Sequence, residues 1–256
     1  MNKTALIMTA AACALTVSAC AGKQKFRGPP PQVIERALKS APGSAQPSTI
    51  VATEIAFARA ARELGQWTAF RQYAAPGAML HGRNGAIPAE PWLLTQSDPA
   101  NPVQWAPRTV VMSCDGAVAV SLGRFRTPEG IVGNFVTVWE RQADNQYRWI
   151  YDAGGPDVPQ PPPRKEFEDG RIVVTAIDAV EGMGATCPRA GEPTPPPPAD
   201  SVVGQRAAEA RLSRDATLRW RWEHRGAGGK FVAAEYYYNG RWVTAIEEVL
   251  ASPPEQ

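Results

Sequence analysis

The chain has 256 residues, a formal net charge of +2 and 44% apolar residues. That length allows one large domain or two small ones, the apolar share suffices for a packed core, and no block of like charge offers a nucleic-acid surface. Proline is the unusual residue, with 25 copies gathered in clusters that mark linkers rather than core.

The amino terminus reads MNKTALIMTAAACALTVSAC. Lys3 precedes an apolar run from Ala5 to Ala19 that is too short for a permanent span and has the build of a signal peptide over residues 1–19. It ends in Val17-Ser18-Ala19-Cys20, which resembles the bacterial lipobox: an aliphatic residue, two small ones, then the acylated cysteine. The resemblance implies cleavage after Ala19 and lipidation of Cys20, with palmitate-type chains anchoring the protein stably to a membrane. Ala21 and Gly22 follow, with no aspartate there, which in lipoproteins favours the outer membrane over the inner. The expected address is the cell envelope. Of the other cysteines, Cys13 leaves with the signal, and Cys114 and Cys187 remain in an oxidising compartment. A disulfide between them is preferred and two buried thiols are the alternative. Neither has a Cys-x-x-Cys neighbour or a nearby histidine, so no metal site is expected.

Residues 20–47 read as a flexible, proline-rich tether. Ser48 or Thr49 is expected to cap a helix stepping through Ile50, Glu54, Phe57, Ala61 and Leu64, with Gly65 as its stop. Trp67 to Tyr73 reads as a second short helix, Met79 to His81 as a brief strand and Gly82 to Gly85 as a turn. A small helix over Pro88–Leu94, a loop over Ser97–Pro107 and a strand over Arg108–Ser113 follow. Between Gly116 and Asp152, three apolar runs are separated by Pro128-Glu129-Gly130 and Ala143-Asp144-Asn145, the pattern of an antiparallel meander. Residues 156–163 form a proline-rich linker. Beyond it, Arg171–Val180 reads as a strand and Met183–Asp200 as a proline-rich connection. Thr217–Glu223 alternates, with Leu218, Trp220 and Trp222 on one face and Arg219, Arg221 and Glu223 on the other. Lys230–Tyr238 and Arg241–Val249 flank Asn239-Gly240, a hairpin signal.

The series AFARAARELGQWTAFRQYAAPGAML, DGAVAVSLGRFRTPEG and FVTVWERQADNQYRWIYDAG, over about residues 48–155, resembles the nuclear-transport-factor-2-like superfamily, also called SnoaL-like or ketosteroid-isomerase-like, and in particular its domains of unknown function. The resemblance implies an α+β fold: a cone-shaped, strongly bent antiparallel sheet wrapped around N-terminal helices, with an interior cavity. Residues 164–256 lie outside it and read as a mostly β extension packed on the cone or extending its sheet, with a small separate β domain as the alternative.

Two residues are candidates for chemistry. His81 follows the short strand and fits a general base, or a plain rim histidine. Asp152 ends the meander, where an apolar cone raises a carboxylate's pKa, or where a strand-end aspartate simply bonds the following turn. His224 reads as solvent-exposed. Tyr73, Trp105, Arg124, Trp139 and Tyr151 are candidate pocket lining, with core packing as the plainer account. Arg124 and Glu140 are placed to pair across neighbouring strands. Alternation separates Phe135, Thr137 and Trp139 from Val136, Val138 and Glu140, and only one set faces the cavity. There is no Gly-x-Ser-x-Gly elbow, phosphate loop or zinc helix, and no cofactor is expected. The paired acid and base set that ketosteroid isomerases need has no residue-by-residue match. The leading expectation is a binding domain for a small, apolar molecule or for a partner, whether another envelope protein or a second copy. The alternatives are a proton-transfer enzyme of the ketosteroid-isomerase or cyclase type using His81 and Asp152, and a structural module with a filled cavity.

Overall fold

The computed structural model describes residues 45–162, 179–188, 194–198 and 208–252. The expected signal peptide, Cys20, most of the tether and residues 171–178 of the expected strand lie outside them. Residues 41–256 form one compact unit. Among the described residues no helix is long and apolar enough to cross a membrane.

Helix α1 (Pro47–Leu64) begins on a proline in its first turn with no side-chain cap. The expected Ser48 or Thr49 cap is therefore replaced by Pro47, whose fixed φ suits that position and whose missing N–H is no loss there. Ile50, Glu54, Phe57, Ala58 and Ala61 are its buried residues; Leu64, at the end of the expected stripe, is exposed. Helix α2 (Gln66–Tyr73) follows directly, then strand β1 (Ala74–Gly82), strand β2 (Gly85–Pro88) and helix α3 (Ala89–Leu94). The meander is β3 (Gln104–Met112), β4 (Val118–Arg126), β5 (Val132–Arg141) and β6 (Tyr147–Pro156). Strand β3 starts before its expected Arg108 because Pro107 sits beside a register shift, where a strand tolerates a proline. Strand β7 (Glu181–Gly184) lies within a stretch that reads as loop.

These strands form one bent seven-stranded sheet in the order β2-β1-β6-β5-β4-β3-β7. It is mostly antiparallel, but β1 pairs with β6 and β7 with β3 in parallel, pairings that join segments distant in the sequence. The second sheet holds β8 (Ala208–Leu212), β9 (Leu218–Arg225), β10 (Gly229–Tyr238) and β11 (Arg241–Leu250) in the order β11-β10-β9-β8.

The first sheet is buried on both faces. One packs on the helices through Val110, Met112, Ala119, Trp139 and Trp149, which meet Ile50, Phe57 and Ala61. The other packs on the second sheet through Val111, Val120, Val136, Val138 and Tyr151, which meet Trp220, Trp222, Val232 and Ile246. A disulfide joins Cys114 to Cys187, tying the β3–β4 turn to the segment after β7. The β3–β4 and β8–β9 turns are built alike. Ser113 and Ser213 hydroxyls each donate to the aspartate two residues on, Asp115 and Asp215, at 2.6 Å. The two turns dock where the Asp115 amide donates to Asp215 and the Cys114 amide to Thr217 Oγ1.

Candidate functional site

The helix-facing side of the first sheet carries a polar stripe across an apolar surface. Ser121, Thr137 and Asp152 are cross-strand neighbours on β4, β5 and β6, so they share one face. Glu54 reaches them from α1. Its carboxylate takes hydrogen bonds from Ser121 Oγ (2.5 Å), Trp139 Nε1 (3.1 Å) and Trp105 Nε1 (3.3 Å). Burial outweighs these three donors, and the nearby Asp152 charge adds to it, so the carboxyl is pushed up to about 7. Asp152 Oδ2 accepts from Thr137 Oγ1 at 2.6 Å. Burial raises its carboxyl to about 6, against the lowering effects of the Thr137 hydroxyl and of Lys230.

Asp152 and Thr137 lie at one side of a cavity of about 230 Å³. Aromatic rings form most of its wall: Phe57 and Phe70 from the helices, and Trp105, Phe125 and Phe135 from β3, β4 and β5. Gln66, Val103 and Gly154–Pro156 complete it. The two phenylalanines on the sheet are shaped by glycines. Phe125 is the register partner of Gly133, and Phe135 that of Gly123. A Cβ on either glycine would overlap the facing ring and a backbone oxygen, Ala106 O at Gly123 and Gly155 O at Gly133. Each ring thus lies over its glycine, flat against the sheet, and the space above stays open. A filled cavity, the third expectation, is not what this wall encloses.

Of the candidate lining residues, Trp105 faces the cavity. Trp139 is fully buried beneath it, holding Glu54. Tyr73 stacks on Phe57, with ring centroids 4.9 Å apart. Arg124 is on the opposite face and does not pair with Glu140: its register partner is Asn134, while that of Glu140 is Val118. It binds Asp157 with both guanidinium nitrogens instead, at 2.7 and 2.5 Å. Tyr151 also faces away. The β5–β6 register shifts between Val138 and Trp139, leaving Ile150 without a partner, so Trp149 faces the helices and Tyr151 the second sheet. Phe135, Thr137 and Trp139 are the cavity-side set.

The structure does not bring His81 and Asp152 together. Leu80 is the partner of Asp152, and His81 that of Ala153, so strand alternation sends His81 to the far face. There it is buried, with Nδ1 2.6 Å from Tyr151 Oη and Nε2 3.1 Å from His224 Nδ1. Its Nε2 partner His224 is half-buried rather than solvent-exposed. Burial, with His224 and Lys230 nearby, lowers His81 to about 4, so it is neutral at ordinary pH. Lys230, buried between the sheets, donates to Gly154 O and Ala251 O, and burial lowers it to about 8.

Sequence reasoning missed Glu54 as a site residue. Its signal was visible: a lone carboxylate at a core-facing step of an amphipathic helix, which demands donors. Among the described residues no group of three or more His, Cys, Asp or Glu side chains is placed to hold a metal ion.

No family model and no curated protein matches the chain. Solved structures are similar to part of it, two of them as follows. One is a candidate ketosteroid isomerase from Shewanella frigidimarina NCIMB 400, at 16% identity, TM-score 0.31, covering 40% of this chain and 92% of that one. The other is a protein of unknown function with a cystatin-like fold from Methylobium petroleophilum PM1, at 12% identity, TM-score 0.32, covering 53% and 99%.

Proposed function

We propose that this protein is a lipid-anchored envelope protein whose cavity binds a small, predominantly apolar molecule. The observation that carries the binding reading is the cavity itself: aromatic walls on most sides and very few polar groups, the arrangement of small-molecule sites. At about 230 Å³ it is smaller than the ~300–1,000 Å³ of typical pockets, so the guest is small. Binding ranks above catalysis because, among the described residues, Asp152 is the cavity's one titratable lining residue and the second proton-transfer candidate, His81, lies behind the sheet. The anchor rests on Val17-Ser18-Ala19-Cys20.

The test of binding uses Gly154. Gly154 lines the cavity and a Cβ there would have no atom nearer than 3.8 Å, so Gly154→Leu starts from an unstrained Cβ and adds bulk at the cavity wall. Small molecules released from the natively purified full chain are identified by mass spectrometry, and Gly154→Leu is expected to lose them. A guest carried equally by both proteins, or by neither, refutes the reading. For the anchor, palmitate labelling is expected to vanish in Cys20→Ala, and its persistence would sink the lipoprotein assignment.

A further inference from the structure

The two carboxylates of the polar stripe are not equivalent. Glu54 accepts from three side chains and is closed inside the wall. Asp152 has one oxygen bound to Thr137; its Oδ1 takes no hydrogen bond from any described residue, and the side chain lines the cavity. No described cation stands within ion-pair distance of Asp152. Lys230, on β10, sends its ammonium to two backbone carbonyls across the sheet. A free acceptor thus faces Phe57, Phe70, Trp105, Phe125 and Phe135. Aromatic faces carry negative charge density and attract cations, so the wall and the carboxylate favour the same kind of guest. A neutral hydroxyl would satisfy Asp152 but gain only burial from the rings.

Resting on the binding reading, we infer that the guest is a small organic ammonium ion, its charged head held at Asp152 and its apolar body among the rings. Two charged or titratable groups face Asp152 from the packed elements, Glu54 from α1 and Lys230 from β10. The guest's charge relieves the repulsion between Glu54 and Asp152, whereas Lys230 opposes it from behind the sheet. The lysine's two carbonyl bonds keep it on that side.

The test compares two probes of the same shape, phenyltrimethylammonium and tert-butylbenzene, by fluorescence titration of the full chain at neutral pH. The ammonium is expected to bind about tenfold more tightly or better, and Asp152→Asn is expected to shrink that preference to what the rings alone contribute. If the neutral probe binds as tightly as the ammonium to the unaltered chain, the ammonium inference fails while the cavity reading stands. If neither binds, both fail. An ammonium preference undiminished in Asp152→Asn overturns the assignment to Asp152. The wild-type ratio alone decides the guest's charge, so a variant that does not fold leaves the test intact.

Discussion

Replacing Glu54 with glutamine probes the polar stripe most directly. The carboxyl moves from its ordinary 4.5 to about 7 on folding, chiefly through burial. A raised carboxyl pKa means that the native state holds its proton more tightly than the unfolded chain. Its contribution to stability is fully present below about pH 4.5 and is lost as pH rises through about 7. At about 1.4 kcal/mol per pH unit of displacement, the loss is about 3 kcal/mol. Glutamine does not titrate, so this component vanishes in Glu54→Gln. The amide should also cost stability at low pH, because its nitrogen meets the Trp105 indole N–H, a donor facing a donor. The assay is urea unfolding of both proteins at intervals between about pH 4 and pH 8, with the disulfide kept oxidised. Other groups titrate in both proteins and largely cancel in the difference. Asp152 does not fully cancel: losing the Glu54 charge eases its own ionisation and enlarges the expected gap. The stability advantage of the wild type should therefore shrink by about 3 kcal/mol across the range. Parallel curves would show that Glu54 is not confined as described.

The disulfide closes a separation of 73 residues, for which chain entropy gives about 4 kcal/mol; urea unfolding with and without reductant measures it, and an unchanged midpoint would refute it. Gly155→Ala would drive a Cβ into the Ala251 backbone and should cost more than about 2 kcal/mol, whereas Gly154→Ala should stay within about 0.5 kcal/mol; equal midpoints for the two variants would contradict this packing. The indole N–H of Trp222 has no hydrogen-bond partner among the described residues, so Trp222→Phe should cost less than Trp139→Phe. The latter removes the donor to both Glu54 and Ser121 and should raise the Glu54 pKa further, visible as a larger stability loss that continues to higher pH in the same series.

The meander, the Asn239-Gly240 hairpin and the two faces of β9 were legible because each follows from neighbours in the sequence: turn residues, period-two alternation and strand length. What failed to read locally depends on register between distant segments. Whether His81 and Asp152 share a face is set only when β1 is paired in parallel with β6, and no local pattern sets that pairing. Tyr151 was misplaced because one unpaired residue, Ile150, changes which face the following residues take. Strand β7 was missed because Glu181-Gly182-Met183-Gly184 has no strand propensity of its own; its backbone pairs with β3 beside the disulfide at Cys114. Glu54 could have been read. It sits in the apolar stripe of α1, where a charge must either find donors or break the helix packing.

The cavity exists because the two faces of the first sheet are stabilised differently. On the face toward the second sheet, Val111, Val120, Val136 and Val138 meet tryptophans and aliphatic residues, large side chains alternate with small ones, and the layer closes. On the helix face, aromatic residues predominate, and Phe125 and Phe135 lie flat over glycines instead of standing into the space. That arrangement gives up interior packing, which burial elsewhere must offset. It also leaves Asp152 with an open oxygen at a measurable electrostatic cost, since a carboxyl held at about 6 resists ionisation in the empty cavity. A merely structural sheet would gain stability from an apolar residue at position 152. Retaining the carboxylate, the glycines and the space together is what a guest with a positive charge would require: it repays the desolvation of Asp152 and fills the volume the rings leave.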